Sequence, residues 1–421
     1  LQTKEAQVTV ERLARGGVGL VFLAVGSPIE GKRDLQAGIA TTRQLVAATN
    51  GRVVMVDDID KAVRVSHDGS VASMMLVEGA DELARADEAA LMALKKQGVG
   101  IIGLVAGHSN GLAEAAVAPL GERGGLSEEG AAFVQRLRDV GIAVDLTHAS
   151  ERTFYDTVVG EGILALVSHS AARHLWEHVR NLTDLQIITL HRSGGLMGLV
   201  FNPDFITAGD EGADIDDVVA HFVHVKRLGA VSSCAIGADF NGIVPPRGLE
   251  DISTLPALRK KLSSVGFTSS ELAGIFGDNA LHFLHNVSAK QGAAESTGNE
   301  LLRPIAMDCE LMSGEFSGSP LASCDTALLV DGPTLGPSAR QRFRLKEMNR
   351  TPVLLEVFGV PGTPWQVEAQ DLDGEILLKR GVLLDNSGRG SIPLPGAEKL
   401  TRVFLSPTRP SILREAVIWG R

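Results

Sequence analysis

Two neighbouring stretches decide the fold: Ile142-Ala-Val-Asp-Leu-Thr-His-Ala-Ser150 and Ile163-Leu-Ala-Leu-Val-Ser-His-Ser170. Each begins with a short apolar run and reaches a histidine near its end. Buried parallel strands typically have such runs, and the residues just past their C-terminal ends lie on the active face of an α/β barrel. Two further runs lead to carboxylates, at Glu78 and at Asp239. The pattern predicts that parallel strands bring these four ends together.

The same alternation of apolar runs and helix-like segments extends from residue 17 to about residue 287. We predict eight strands, at residues 18–25, 53–56, 71–77, 101–105, 142–146, 163–167, 196–201 and 234–236. Repeated strand–helix units form either an open doubly wound sheet or a (β/α)₈ TIM-like barrel, and eight units favour the barrel. The alternative for the short run 53–56 is a peripheral strand, which would leave the barrel one strand short. We assign residues 1–295 to this α/β domain.

The residue composition changes near residue 291, where a stretch of small and polar residues predicts a loop between two domains. Beyond it, alternating or apolar stretches are bounded by Gly and Pro, and Asp373-Gly374 predicts a hairpin turn between two of them. We predict strands at residues 353–360, 365–369, 375–378, 402–405 and 415–419. Residues 304–421 are therefore expected to form a small antiparallel β-sandwich without a chemical site of its own.

Charge and hydropathy exclude several classes of partner. The 51 acidic and 40 basic residues give a net charge of −11, without a basic block, which argues against nucleic acid and anionic membrane. No apolar stretch approaches the roughly 18 residues that a membrane span needs. The chain begins at Leu1 rather than Met, so we expect it to be processed, trimmed or part of a longer sequence. We favour a periplasmic or secreted location over the cytoplasm.

The three cysteines, Cys234, Cys309 and Cys324, form neither a disulfide framework nor a zinc knuckle. Cys309 and Cys324 could pair in an oxidising compartment, but two small, half-buried thiols are favoured.

Glu78, His148, His169 and Asp239 are predicted to share one address, the C-terminal end of a strand. Two imidazoles and a carboxylate suit zinc or a similar ion better than calcium or magnesium, which prefer oxygen ligands. The alternative is that both histidines bond to neighbouring carbonyl groups while Glu78 caps the next helix. Four such residues at one face favour a site.

At this point the sequence resembles the renal or membrane dipeptidase family of binuclear zinc peptidases. The resemblance covers residues 8–287 and rests on segments that occur in the family's order and spacing: Val77-Glu-Gly79, Asp145-Leu-Thr-His-Ala-Ser150, Val167-Ser-His-Ser170, Arg180-Asn181, Gly237-Ala-Asp-Phe-Asn-Gly242, Gly248-Leu-Glu-Asp251 and Gly277-Asp-Asn-Ala-Leu281. It implies a (β/α)₈ barrel that hydrolyses dipeptides, and in some members opens β-lactam rings.

The resemblance also implies a role for each matching residue. Glu78 resembles the carboxylate that bridges two zinc ions, and His148 and His169 resemble the ligands of the second zinc. Arg180 matches the arginine that holds the substrate's carboxylate, a role that suits its planar fork. Asp239 matches the aspartate that meets the substrate's free amine and assists the attacking water.

Two positions depart from the family. Its first strand carries a His-x-Asp pair that completes the first zinc site, and no such pair occurs in the 421 residues. We expect that strand to lie upstream of Leu1, or else this homologue to work with fewer metals. The family's histidine at the end of the fourth strand, which stabilises the tetrahedral intermediate, aligns with Ala106. His108 is a catalytic candidate in its place, provided that its loop curls back.

We therefore expect a metal-dependent hydrolase that cleaves a dipeptide or small amide, with one zinc site apparent and two expected from the family. The alternative is a catalytically silent member that keeps the pocket for binding or assembly. Because of Ala106 and the missing pair, we expect poor dipeptide hydrolysis from this chain. The expected partners are a small peptide or amide substrate and a second copy in a homodimer.

Two other histidine pairs were weighed as metal ligands. His174 and His178 are four residues apart on a predicted helix, 171–179, and His221 and His224 are three apart on another. Such spacing is compatible with a metal, but a pair like His174 and His178 more often lies on a solvated helix face, and we disfavour metal binding by either pair.

Overall fold

The computed structural model describes residues 6–26, 34–118, 125–207 and 212–289, together with strand segments between residues 303 and 420. The chain divides into two compact units, Leu1–Glu295 and Ser296–Arg421. The first unit is an α/β structure and the described part of the second is all β.

The first unit is built around one parallel sheet, and each of the eight predicted runs contributes a strand. The strands are β1 (Leu20–Val25), β2 (Val53–Met55), β3 (Val71–Val77), β4 (Val99–Gly103), β5 (Ala143–Asp145), β6 (Ala165–Ser170), β7 (Leu196–Leu199) and β8 (Cys234–Ile236). β3 is buried along its whole length, as expected of a strand covered on both faces.

The strand order is β1-β3-β4-β5-β6-β7-β8, with β2 outside this path. β2 pairs with Val71–Ser73, at the start of β3, and β4 pairs with the end of β3 from Met75 onward. β1 pairs with one edge of β3 from Ala72 to Val77. The short strands β2 and β4 therefore both pair with the opposite edge of β3. The sheet is therefore a curled, TIM-like parallel sheet with seven strands in its path. The prediction of eight barrel strands among these runs was wrong, and the peripheral alternative for β2 is confirmed.

Helices connect the strands. They are α1 (Val10–Gly16), α2 (Leu35–Ala47), α3 (Ile59–His67), α4 (Glu88–Lys96), α5 (Glu128–Val140), α6 (Glu151–Tyr155), α7 (Asp184–Arg192), α8 (Pro203–Ile206), α9 (Ile215–Arg227), α10 (Leu255–Ser264), α11 (Ser269–Ala273) and α12 (Asn279–Ala289). Among the described residues, no helix is long and apolar enough to cross a bilayer.

Local sequence explains where the helix before the site begins and ends. The Ser127 side chain accepts a hydrogen bond from the Gly130 amide at the start of α5, and Gly141 ends the helix in the left-handed conformation with φ 69°. A hydroxyl cap and a C-terminal glycine satisfy amide and carbonyl groups that the helix leaves unpaired. The chain then enters β5 in the direction that leads to His148.

One apolar cluster packs against the sheet. It takes one or more buried residues from each of β3 to β8 and packs them with Phe283 and Leu284 of α12. The strands are held by this cluster, which leaves their C-terminal ends available for polar side chains.

The predicted helix over residues 171–179 is wrong. This segment consists of turns, because tertiary hydrogen bonds replace the helical ones: the Leu182 amide donates to the Ala171 carbonyl, and the Arg173 amide donates to the Leu182 carbonyl. The Asn181 side chain donates to the carbonyls of Trp176 and Phe205. The segment between β6 and α7 is thus a closed loop, called the 171–182 loop below.

The second unit contains two antiparallel sheets. Its strands are β9 (Arg303–Pro304), β10 (Met307–Ser313), β11 (Phe316–Ser317), β12 (Thr334–Leu335), β13 (Arg340–Leu345), β14 (Pro352–Gly359), β15 (Pro364–Gln370), β16 (Ile376–Leu383), β17 (Arg389–Pro393), β18 (Arg402–Pro407) and β19 (Ser411–Gly420). One sheet has the order β10-β13-β18-β15-β16, and the other β11-β12-β19-β14-β17 with β9 beside β19. All five predicted strands occur, and β15 pairs with β16 as the predicted hairpin requires. Asp373-Gly374 and Cys324 lie outside the described residues, and the sandwich stays a prediction.

Candidate active site

The structure brings three of the predicted ligands together. Glu78 directly follows β3, His148 follows β5, and His169 lies near the end of β6. One ligand atom from each side chain lies within 4.8 Å of the other two, and the two imidazole rings meet edge to face with centroids 5.3 Å apart. Glu78, His148 and His169 are called the strand-end group below.

Two site residues adopt a backbone conformation that is unusual for their type. His148 has φ 72° and Asp239 has φ 61°, both in the left-handed region. That region costs a non-glycine residue roughly 1–2 kcal/mol, and such strain concentrates at functional sites. The Ala116 amide donates to the His148 carbonyl at 2.7 Å, so the turn is held by the neighbouring loop.

A buried carboxylate orients the ligands. Asp145, at the end of β5, accepts hydrogen bonds from the Thr147 hydroxyl and the Ser168 hydroxyl, both at 2.6 Å, and from the Ser168 amide at 3.0 Å. The Ser168 hydroxyl also lies 3.0 Å from Nδ1 of His169. Since this hydroxyl gives its proton to Asp145, it accepts from Nδ1–H of His169. The lone pair of Nε2 is then available for a metal, the arrangement commonly seen around metal-binding histidines.

Glycines make room for this network. A Cβ atom on Gly198 of β7 would lie 2.0 Å from the Ser168 carbonyl oxygen, and one on Gly237, just after β8, would lie 2.1 Å from it. Larger residues at either position would displace the strand end that presents His169.

Electrostatics keep the histidines neutral. Burial lowers the pKa of His148 to about 3, with a further contribution from the Arg180 charge. The pKa of His169 is also far below its usual range, because of burial, Arg180 and His148. Neutral imidazole is the metal-binding form. Two neutral imidazoles and a carboxylate provide three ligands, as in catalytic zinc sites that keep a fourth position open. The residues present therefore fit a zinc-like ion.

Arg180 lies at the end of the 171–182 loop with unsatisfied donors. Its buried Nε and Nη2 atoms have no hydrogen-bond partner among the described residues, and its guanidinium carbon is 5.2 Å from the centre of the Phe205 ring. Burial lowers its pKa to about 10, against the opposing charges of Asp239, Asp145 and Glu78. It remains charged at neutral pH, and the two orphaned donors fit an arriving carboxylate.

A cavity is lined by this arginine and by one member of the strand-end group, His148. It is also lined by Thr147, Asn181 and the pair Arg173–Glu151, whose side chains are 3.2 Å apart. From the sequence we expected no role for Asp145, Ser168 or the Arg173–Glu151 pair. The positions of Asp145 and Ser168, three residues before His148 and one before His169, could have indicated that they support these ligands.

Asp239 follows β8 and completes the polar end of the sheet. Burial raises its pKa to about 6, and the nearby charge of Arg180 acts in the opposite direction. A carboxylate with this pKa is largely ionised at pH 7 but still able to take a proton, as a general base must.

The remaining catalytic candidate lies in a different setting. Nε2 of His108 is 3.2 Å from Oδ1 of Asp81, and the His108 side chain is 56% exposed. Ala106, which aligns with the family's histidine, is buried. The role of His108 in stabilising an intermediate stays a prediction.

Known proteins resemble this chain in sequence and in fold. A family model described as membrane dipeptidase, peptidase family M19, matches residues 1–297. An uncharacterized dipeptidase of Schizosaccharomyces pombe is 34% identical over 213 residues, which are 50% of this chain and 52% of the relative. Dipeptidase tcpJ of Claviceps purpurea is 26% identical over 294 residues, 66% of this chain and 69% of the relative. The chain thus spans about half the length of the first of these curated relatives.

Solved structures share the fold of the first unit. The crystal structure of dipeptidase AC, a metallo peptidase, has a TM-score of 0.61 at 24% identity and covers 68% of this chain and 90% of its own. A metallo peptidase from Rhodobacter sphaeroides, liganded with a phosphinate mimic of L-Ala-D-Ala, has a TM-score of 0.61 at 22% identity, over 68% and 92% of the two chains. With the family match over most of the α/β unit, this chain belongs to the membrane dipeptidase family.

Proposed function

We propose that this chain hydrolyses dipeptides or similarly small amides, with zinc held by Glu78, His148 and His169. The observation that carries the proposal is the combination of three convergent ligand atoms with a buried arginine whose donors lack partners. The cavity lined by both His148 and Arg180 would place a bound carboxylate within reach of the same space as the ligands.

Arg180 selects and orients the substrate in this proposal. Its Nε and Nη2 groups, which have no hydrogen-bond partner among the described residues, donate hydrogen bonds to the terminal carboxylate of a dipeptide, so the substrate satisfies buried donors of a cation. Charge-assisted bonds of this type are each worth about 1.5–3 kcal/mol. A short substrate with a free carboxylate is therefore favoured over an internal peptide bond.

In this proposal the strand-end group binds the metal and Asp239 transfers the proton. When bound, zinc supplies Lewis-acid polarisation and acidifies the attacking water. Asp239 meets the substrate's free amine and takes the proton of the water, for which its pKa of about 6 is suited. Asp145 and Ser168 hold His169 in one tautomer and one orientation.

From the family resemblance we further propose a second zinc that shares Glu78, an eighth strand that closes the barrel between β1 and β8, and a homodimer in a periplasmic or secreted location. The C-terminal sheets would pack as a sandwich and serve recognition or assembly. The comparisons give no support to the catalytically silent alternative.

The test is a panel of L-L and L-D dipeptides and their C-terminal amides, assayed with added zinc. We expect the free dipeptides to be cleaved with a kcat/KM roughly 10- to 100-fold above that of the amides, about the worth of one bond to a charged group. Arg180→Lys should remove most of this preference, because lysine lacks the planar fork. His67→Ala, at an exposed histidine outside the site, is the matched control.

Two outcomes would contradict the proposal. Absence of turnover by a chain that has bound zinc would favour the silent alternative. Equal hydrolysis of dipeptides and amides by the wild type would show that Arg180 does not read the carboxylate.

A further inference from the structure

A second group of two histidines and a carboxylate lies on other elements of the same unit. His174 belongs to the 171–182 loop, Asp184 is the first residue of α7, and His224 lies in the last turn of α9. One ligand atom from each lies within 4.8 Å of the other two. None of these residues belongs to the strand-end group, and the three are called the α7–α9 group below.

Both histidines of this group contact the carboxylate of Asp184. Oδ1 of Asp184 lies 2.7 Å from Nε2 of His224, and Oδ2 lies 3.7 Å from Nδ1 of His174. The two imidazole rings are stacked, with centroids 4.7 Å apart and planes 15° from parallel. Ligand atoms in a tetrahedral zinc site are about 3.3 Å apart, given bonds of about 2.0–2.1 Å. The two contacts to Asp184 use different oxygens of its carboxylate, and each is within an ångström of that spacing. Rotation of the side chains would bring both rings towards one oxygen.

The exposure of the three side chains is graded. The side chains of His224 and Asp184 are 5% and 12% exposed, while that of His174 is 33% exposed. Two ligands are therefore fixed in the protein interior and the third opens to solvent, which leaves a position for water.

The surrounding contacts hold the group in place without a metal. His221, one turn before His224, accepts a hydrogen bond from the Ala172 amide at 3.0 Å and so ties the 171–182 loop to α9. Thr183 and Gln186 form a reciprocal cap that fixes the start of α7 beside Asp184. These bonds set the loop, α7 and α9 at the separation that the three ligands need.

We propose that His174, Asp184 and His224 form a further divalent transition-metal site, of zinc type, that clamps the 171–182 loop onto α7 and α9. Imidazole and carboxylate ligands suit zinc, copper and nickel better than calcium or magnesium. The clamp acts on the loop that carries Arg180, whose carbonyl is also held by the Ser170 hydroxyl at 2.8 Å. The site is structural, and it does not rest on the proposed hydrolysis.

The experiment compares zinc stoichiometry and affinity by chelator competition on the full-length chain. His174→Ala and Asp184→Asn should each bind one equivalent fewer than the wild type, or bind it at least about 100-fold more weakly, because a ligand matters at least as much as the groups that orient one. His148→Ala should lose a different equivalent. Asp184→Asn keeps the shape and the hydrogen bond to His224, which guards against misfolding. His178→Ala, on the same loop but stacked on Phe205, is the matched control and should bind as the wild type does.

A spectroscopic measurement identifies the ligands. Cobalt added to the His148→Ala protein should give the visible spectrum of a nitrogen- and oxygen-liganded site, and the spectrum should vanish in His148→Ala/His174→Ala. Zinc should also raise the melting temperature of His148→Ala and not of the double variant. Equal stoichiometry and affinity in the wild type, His174→Ala and Asp184→Asn would overturn the proposal and leave a His–Asp hydrogen bond only.

Discussion

The strand-end group and the α7–α9 group contain the same ligand types, two histidines and one carboxylate, but their surroundings differ. The strand-end group is presented by consecutive parallel strands, and the charge of Arg180 contributes to the low pKa of both of its histidines. In the α7–α9 group the carboxylate contacts one nitrogen of each of two rings that stack on each other, and one of the two histidines is partly exposed to solvent. Ligand composition therefore does not determine the role. The strand-end group lies near Arg180, a buried cation with unsatisfied donors, and we assign it to catalysis together with Asp239. The α7–α9 group joins the 171–182 loop, α7 and α9, and we assign it a structural role.

The largest expected effect is on turnover. Asp239→Asn should lower kcat by about 10²–10⁴-fold, because it removes the proton acceptor while keeping the side chain's size. His174→Ala should give a smaller loss that appears in KM, since the α7–α9 group acts on the loop that positions Arg180. Steady-state kinetics on dipeptides separate the two, and a kcat loss in His174→Ala as large as in Asp239→Asn would break the distinction.

The next effect is on metal affinity. Ser168→Ala removes the hydroxyl that links His169 to Asp145, so zinc affinity at the strand-end group should fall about 10- to 100-fold. The α7–α9 group in the same molecule is the internal control and should keep its affinity. If both affinities fell together, the substitution would have acted through the fold rather than through His169.

The pH profile tests the carboxylate. Asp239 must be ionised to accept a proton, and its pKa is about 6. We therefore expect kcat/KM to fall below pH 6, by about 10-fold for each further pH unit. The profile of His174→Ala should have the same midpoint, because the α7–α9 group does not face the reacting atoms. A midpoint that moved in this variant would link the two groups electrostatically.

The smallest effect is on stability. The fold raises the pKa of Asp239 from 3.8 to about 6, so at pH 8 it holds an ionised carboxylate where burial disfavours the charge. Asp239→Asn should then stabilise the metal-free protein at pH 8 by on the order of 1–3 kcal/mol, or several degrees in Tm. Below about pH 3 the carboxyl is protonated in the folded and in the unfolded chain, and the gain should disappear. Thermal melts in chelator at both pH values measure this, and an equal gain at both would exclude the carboxyl's charge as the cause.

The two groups also show how far the sequence could be interpreted. His148 and His169 were predictable because each follows an apolar run, and in a parallel sheet the C-terminal ends of strands meet at one edge. The α7–α9 group could not be predicted from the sequence, because its three residues come from separate elements and meet only through their side chains. His174 and His178 fall within the helix predicted over residues 171–179, but hydrogen bonds from Leu182 and Asn181 stabilise a loop instead. β2 lies outside the strand path because it pairs only with the first residues of β3, while β4 pairs with the last ones. Local β-propensity does not predict which strands pair.

The left-handed backbone at His148 and Asp239 has an evolutionary consequence. Each residue costs the fold about 1–2 kcal/mol relative to glycine, which adopts this conformation freely. Selection on the chemistry must oppose that cost in every generation. In a duplicated gene freed from this selection, drift should replace positions 148 and 239 with glycine or asparagine earlier than neighbouring positions of similar burial. The residues found at these two positions in related genomes would then distinguish lineages that still use the site from lineages that have abandoned it.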